Sequence, residues 1–279
     1  MNSLSNKLSI GSVQFGLDYG ISNKNGITSF EEVEEILSSA LENGIKIIDT
    51  ASAYGISEGV LGKCNLDNFR IVSKFINISE SNTLETQLNE TIHKLKVQHL
   101  YGYLSHRPME VVENHEIWYR LIELKKENRI EKIGFSFNSI AEIEEVLKTG
   151  FIPDIIQVPY NFLDDRYEPY MKEFKTKFNT EIHTRSTFLQ GLFFMDIDLL
   201  PTFYDPIKTI LKPIKRDQLA AQLLQYVLNK PFIDHVVIGI NTKDQLIENI
   251  ENSSKNTFQL EKHNIVIPEN ILTPSNWPK

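Results

Sequence analysis

The sequence predicts an α/β chain closed into a (β/α)8 barrel, the TIM-barrel class. Three observations lead there. Short β-branched runs are followed by amphipathic helical stretches eight times over. The 279 residues suit eight such units, which typically take about 250 residues. No glycine-rich turn follows the first strand, as a doubly wound dinucleotide-binding sheet would require, and no Pro/Ser-rich linker or composition shift divides the chain. One domain over residues 1–279 is expected, with a short C-terminal tail from about residue 264.

Each element has its own signal. Leu8–Val13 is the first strand. The helix after it, Phe30–Asn43, spaces Val33, Ile36, Leu37, Ala40 and Leu41 three and four apart, and Gly44 suits its C-terminal cap. Lys46–Asp49 is the second strand, before a short helix from Ser57. Phe69–Lys74 is the third, before a helix carrying Leu84, Leu88, Ile92 and Leu95. Leu100–His106 is the fourth, before Ile117, Leu121 and Leu124 on one helical face. Lys132–Ser136 precedes a helix around Ala141–Lys148, and Asp154–Val158 precedes one at Tyr167–Phe178. Glu181–Arg185 leads through a longer loop to Asp217–Asn229, and His235–Gly239 leads to Lys243–Asn252.

Composition narrows the function. With 41% hydrophobic and 24% charged residues a sizeable core is available. Lys and Arg number 29 against 37 Asp and Glu, a net charge of −8, so no whole-chain basic footprint for nucleic acid or an anionic membrane exists. The lone Cys64 cannot form an internal disulfide, which suits a reducing compartment and excludes a cysteine-based zinc site. It lies outside any CxxC pair and reads as inert. No HxH, HExxH or carboxylate cluster at metal-ligand spacing stands out among the seven histidines, so no metal is expected. The N-terminus lacks a signal-peptide stretch, and apolar runs such as Leu192–Met195 and His235–Ile240 fall far short of the ~20 residues that span a bilayer. A cytoplasmic monomer or small homo-oligomer is expected.

In such a barrel, chemistry gathers where the strands end. The polar residues there are Ser12 and Gln14, Asp49, Lys74, His106, Ser136, Gln157, Arg185, and then Gly239 and Asn241. Taken singly, a terminal Lys or His is usually a solvated loop residue. A run of ionisable groups at successive strand ends is poorly explained by chance decoration. By contrast, Glu31, Glu32, Glu34 and Glu35 read as the solvated face of the first outer helix, and Trp118 with Tyr119 as packing against the barrel.

The stretch Asp49-Thr50-Ala51-Ser52-Ala53-Tyr54-Gly55-Ile56-Ser57-Glu58, then Leu61-Gly62-Lys63, Lys74 and His106-Arg107-Pro108, resembles the aldo-keto reductase superfamily. The resemblance runs from Gly11-Ser12-Val13-Gln14-Phe15-Gly16 to Glu248-Asn249. It implies a catalytic tetrad of Asp49, Tyr54, Lys74 and His106, and reduction of an aldehyde or ketone by NADP(H), with NAD(H) as the alternative. The chemistry agrees. A carbonyl that accepts hydride develops oxyanion charge and needs a proton, a phenol of pKa ~10 is a weak donor at neutral pH, and an adjacent ammonium strengthens it. Asp49 would balance Lys74, Lys74 would tune Tyr54, and His106 would orient the substrate oxygen.

The resemblance also places the cofactor. Ser136 and Gln157 match the carboxamide contacts, although Phe137 stands where an Asn usually follows the Ser, with Asn138 one place later. Arg185, Ser186, Phe188, Gln190 and Gly191 fall in the pyrophosphate loop, with Arg185 where an aromatic ring usually stacks on the nicotinamide. A guanidinium can also stack, and its charge could meet an acidic or phosphorylated substrate. Gly239, Asn241, Lys243, Gln245 and Asn249 match the adenosine-phosphate segment; cations common at the points occupied by Ile240 and Gln245 are missing, leaving Lys243. Ser12 and Asp49 complete the expected cofactor set. The expected substrate pocket comprises Phe15, Tyr19, Tyr54, His106, Arg107, Tyr160 and Trp277, with Phe188 beside it, and a sugar or sugar derivative is a candidate carbonyl. Two other readings stay open, a nicotinamide-binding regulatory subunit without turnover and a barrel isomerase or lyase.

Overall fold

The computed structural model describes residues 4–214, 216–255, 257, 260 and 265–278, with the side chain of Asp217 set aside; the expected start of the tail near residue 264 lies outside them. A 3-10 turn at Leu4–Lys7 leads into β1 (Leu8–Gly11), then α1 (Phe30–Glu42), β2 (Ile47–Asp49), α2 (Ser57–Leu61), β3 (Arg70–Phe75), α3 (Leu84–Leu95) and β4 (Leu100–Ser105). Two helices follow β4, α4 (Pro108–Glu113) and α5 (His115–Lys126), where the sequence signals only the second. The chain continues through β5 (Ile130–Ser136), α6 (Ile140–Thr149), β6 (Ile155–Pro159), α7 (Glu168–Phe178) and β7 (Glu181–Arg185). After β7 come α8 (Asp205–Leu211), α9 (Leu219–Leu228), β8 (His235–Gly239), α10 (Lys243–Ser254) and α11 (Glu269–Leu272). The strands pair in parallel, each with the next, and β8 returns to β1 in the register Leu8 with Val236 through Gly11 with Gly239.

Local chemistry sets the helix ends. Ser29 caps α1 by accepting from the Glu32 N–H. At the other end, Gly44 (φ +77°) donates to Leu41 and Ile45 donates to Ala40, the paired bonds of a Schellman stop. Val33, Ile36, Leu37 and Ala40 form the buried stripe that holds α1 to the barrel. Helix α6 carries a full capping box, Ser139 with Glu142.

Apolar side chains from β2, β3, β4 and β6 (Ile47, Val72, Tyr101, Leu104 and Ile155) fill the barrel interior. At the N-terminal ends of the strands a polar plug closes it. The Tyr101 hydroxyl donates to Glu181 Oε2 at 2.8 Å, the Lys132 ammonium reaches the same oxygen, and His183 Nε2 lies 2.6 Å from Oε1. Burial opposes charge on Glu181, yet hydrogen bonds from His183, Lys132 and Tyr101 outweigh it and hold the carboxyl below the usual range. Glu181, His183 and His235 bring their ligating atoms within 4.8 Å of one another. The sequence reading covers clusters at local metal-ligand spacing, and this one has no such spacing: register pairs His183 with His235 across 52 residues of sequence. Tyr101 and Lys132 already take the outer carboxylate oxygen.

The loop after β7 was expected only to be long. Instead, Leu189, Leu192, Phe193, Ile197, Tyr204, Ile207 and Leu211 build a second apolar cluster that α11 covers with Ile271 and Leu272. Among the described residues no helix is long and apolar enough to cross a membrane.

Candidate active site

Asp49 is the last residue of β2 and Lys74 the fifth of the six in β3, so parallel pairing brings both to the C-terminal mouth. Lys74 is fully buried. Its ammonium donates to Asp49 Oδ2 at 2.7 Å, to the Thr50 carbonyl at 2.9 Å and to the Tyr54 hydroxyl at 3.4 Å. Burial works to strip the proton from Lys74, but Asp49 and Tyr54 outweigh it and raise its pKa, so the ammonium persists. Gln157 Nε2 holds the other Asp49 oxygen at 2.7 Å.

The turn that carries Tyr54 is clamped backbone to backbone. Gly55 adopts φ +57°, and a Cβ there would sit 2.4 Å from the Gly16 carbonyl oxygen, while one on Gly16 would sit 2.0 Å from the Tyr54 carbonyl oxygen. Glycine is required on both sides of that contact. Ser57 then ties the turn to β1's end, donating to the Ser12 carbonyl at 2.8 Å. Glu58 is buried beneath, accepting from Ser73 at 2.7 Å and Thr91 at 3.2 Å, and burial lifts its carboxyl pKa. The Ser-Glu part of the motif is thus scaffolding.

His106 follows β4 and meets Tyr54 edge-on at 6.1 Å between ring centroids. Burial first, then the charges of Lys74, Arg185 and Arg107, push its pKa down to about 3, so the imidazole is neutral at physiological pH. Its Nδ1 is buried without a hydrogen-bond partner.

A cavity of about 870 Å³ opens over these groups. It gathers Ser12, Asp49, Tyr54, His106, Arg185, Ser186, Phe188, Gln190, Gly191, Gly239, Asn241, Gln245 and Asn249, along with Tyr19. Besides Lys74, buried beneath the wall, seven expected residues lie elsewhere. Ser136 and Gln157 are fully buried beneath the mouth, where Ser136 donates to Gln157 and Gln157 spends its amide on Asp49. Phe15 is core. Tyr160 is sealed, donating to Glu168 at 2.7 Å and stacking on Tyr226. Arg107 points outward beside Glu110. Trp277 packs edge-on to Tyr204 and donates to the Ile271 carbonyl, inside the second cluster. Lys243 meets Glu35 at 3.5 Å, and its backbone N–H donates to Glu32. The acidic face of α1, expected to be merely solvated, therefore contacts the start of α10.

Beyond Tyr19, sequence reasoning missed the β1–α1 loop. Ile21 N–H donates to the Gln190 carbonyl at 3.1 Å, Gln190 Nε2 donates to the Tyr19 hydroxyl at 2.7 Å, and Asn241 Nδ2 donates to Asn23 Oδ1 at 3.2 Å. These bonds strap the loop across the cleft, and they bring Lys24 to its wall. The Asn25-Gly26 turn was the available signal. Opposite, Leu189, Gln190 and Gly191 are all left-handed (φ 44°, 52° and 90°), a costly run for two non-glycine residues. It persists beside the cleft, braced by Gly191 N–H to the Phe188 carbonyl at 2.8 Å.

Three residues of the cavity wall carry buried polar atoms without partners: Gln14 Oε1, Thr187 Oγ1 and His106 Nδ1. At one end, α10 begins with a Thr242 cap, a place that favours anions. An elongated, phosphate-bearing molecule fits such a wall.

The sequence profile of the aldo/keto reductase family matches residues 7–266. The chain belongs to that family. It is 34% identical over 138 residues to methylglyoxal reductase DkgA of Escherichia coli K12, covering 47% of this chain and 50% of that protein. To glyoxal reductase of Bacillus subtilis it is 32% identical over 140 residues, 47% and 49% of the two chains. The chain thus spans about half the length of the curated relatives it matches. Among solved structures, the holo form of an aldo-keto reductase from Bacillus halodurans is similar at TM-score 0.73 and 22% identity, over 91% and 88% of the chains. One from Klebsiella pneumoniae in complex with NADPH is similar at TM-score 0.67 and 17% identity, over 91% and 87%.

Proposed function

We propose that this protein reduces a small aldehyde or ketone to the alcohol with NADP(H). One observation carries the reading: a buried ammonium, charge-balanced by Asp49, donates to the hydroxyl of a tyrosine on the cavity wall, with a neutral imidazole alongside. Bound reduced nicotinamide supplies the hydride. Everything else falls to the chain. Tyr54 delivers the proton to the carbonyl oxygen, and the Lys74 ammonium stabilises the phenolate left behind. Asp49 keeps Lys74 charged, and Gln157 holds Asp49 in place. His106, neutral, orients the carbonyl oxygen by hydrogen bonding without competing for the proton.

Ser12, Ser186, Gln190, Gly191, Gly239, Asn241, Gln245 and Asn249 would hold the dinucleotide along the cleft. Lys24 is the cation of the β1–α1 loop that lines the cleft, and it supports NADP(H) over NAD(H). The regulatory-subunit reading loses support from the complete Asp49–Lys74–Tyr54 chain, which binding alone does not require. The test is oxidation of NADPH by the purified protein, followed at the nicotinamide absorbance, against methylglyoxal, glyoxal, aldoses and nucleotide-linked keto sugars. Turnover with at least one carbonyl is expected; NADPH binding without turnover on any of them would favour the regulatory reading.

A further inference from the structure

Two departures from the family pattern meet at one place. Arg185 ends β7, where an aromatic residue is usual, and Asn138 stands one position late after Ser136. The structure joins them: Arg185 Nη2 donates to Asn138 Oδ1 at 2.7 Å and to the Phe137 carbonyl at 2.9 Å. Phe137 fills the core, stacked on Phe135. Asn138 is fixed in turn, its N–H on Glu142 at 2.6 Å and its carbonyl accepting from Tyr167 at 2.8 Å. The displaced asparagine is therefore the support of the new arginine.

That support is electrically neutral. Both acceptors occupy Nη2, Nη1 has one long contact of 3.5 Å to Ser186 Oγ, and no partner of Nε stands among the described residues. Of five guanidinium N–H groups, the one on Nε and the second on Nη1 remain to meet a ligand. Among the described residues, no carboxylate lies within ion-pair distance of Arg185. The cavity wall offers two carboxylates: Asp49, committed to Lys74 and Gln157, and Glu248 on α10. Around Tyr54 and His106, then, the Lys74 charge is matched and the Arg185 charge is not. A cation half-withdrawn from water with no counter-charge is costly to keep unless its counter-charge arrives with a ligand.

We infer that the carbonyl substrate carries an oxyanion, a carboxylate or a phosphate, and that Arg185, braced by Asn138, is the specificity-determining residue that receives it beside Tyr54. The inference rests on the reductase reading for the word substrate, but the oxyanion subsite is measurable without turnover. The same charge could instead serve a phosphate of the cofactor, so the experiment separates the two sources.

The test compares matched pairs of aldehydes, succinic semialdehyde with butanal and glyceraldehyde phosphate with glyceraldehyde, for the wild type, Arg185→Gln and Arg185→Lys. At least one charged member should exceed its neutral partner tenfold or more in kcat/KM. Arg185→Gln should cut that ratio at least tenfold, Arg185→Lys should keep part of it, and added salt should shrink it. In parallel, calorimetry on protein saturated with NADP⁺ should show binding of 4-hydroxybutyrate, weakened at least tenfold in Arg185→Gln. An unchanged ratio together with unchanged 4-hydroxybutyrate binding overturns the inference, and so does a loss confined to the NADPH dissociation constant, which would assign the charge to the cofactor. Arg185-dependent binding of 4-hydroxybutyrate without reduction of any aldehyde would uphold the subsite and refute the reductase reading.

Discussion

Lys74 and Asp49 form an ion pair of 2.7 Å with side chains 0% and 4% exposed, and the ammonium's other two donors reach the Thr50 carbonyl and the Tyr54 hydroxyl. A pair so deeply buried does little for stability by itself, because desolvation offsets the attraction. Its use is to keep a full positive charge within hydrogen-bond distance of a phenol.

Breaking that pair from one side should be expensive. Lys74→Met leaves the Asp49 carboxylate buried with only Gln157 as partner, which is expected to cost about 3–5 kcal/mol. Urea unfolding measures it. Pairing the change with Asp49→Leu should recover a large part, since the stranded charge is then gone as well.

Tyr54→Phe should remove the proton donor and little else. The ring keeps its place beneath the Lys74 ammonium, 5.0 Å from the centroid. Carbonyl reduction should fall by at least about a hundredfold, while NADPH titration gives a dissociation constant close to wild type. Turnover near the wild-type rate would remove Tyr54 from the mechanism.

His106 sets a pH dependence of defined sign. Its folded pKa is about 3 against the ordinary 6.5. Below 6.5 the unfolded chain takes up a proton that the folded chain refuses, so stability is complete above 6.5 and drains away as pH falls toward 3. At pH ~4.5 the loss from this group is on the order of 2 kcal/mol. Unfolding curves across that window should flatten in His106→Gln.

Charge at the proposed adenosine end of the cleft can be tuned in both directions. Glu35→Gln frees Lys243 from its 3.5 Å partner and should tighten NADPH relative to NADH, whereas Lys24→Ala should loosen it. Each effect is expected to be about two- to fivefold, as fits solvated charges, and fluorescence titration of both nucleotides would read it.

Gly134 tests the barrel wall. A Cβ there would sit 1.8 Å from the Ile155 carbonyl oxygen, between strands whose register is Gly134 with Ile155. Neither backbone can yield without breaking the β5–β6 ladder. Gly134→Ala should therefore lose at least about 3 kcal/mol, visible as a large fall in Tm.

The barrel was legible because each strand is a short β-branched run flanked by helical periodicity. Glu181–Arg185 and His235–Gly239 fall where the pattern places them. The segment between β7 and α9 was not, since its 3-10 turns and the seven-residue α8, with Pro201, Pro206 and Pro213 among them, are too short to carry a period. That Asp49, Tyr54, Lys74 and His106 would gather at one mouth was legible from the motif, whereas the surroundings were partly misjudged. Tyr160 and Phe15 follow strand ends closely, but proximity in sequence does not decide which way a ring packs, and both turn into the core. The strap through Tyr19, Ile21 and Asn23 joins positions more than 150 residues apart, beyond any local signal.

The polar plug of Tyr101, Lys132, Glu181 and His183, with the apolar filling above it, occupies the end of the barrel away from the cavity over Tyr54. Lys74 itself is fully buried. In the proposed mechanism, the proton that Tyr54 gives up and the alcohol would therefore share the cavity mouth, so restoring the acid and emptying the site would draw on the same cleft.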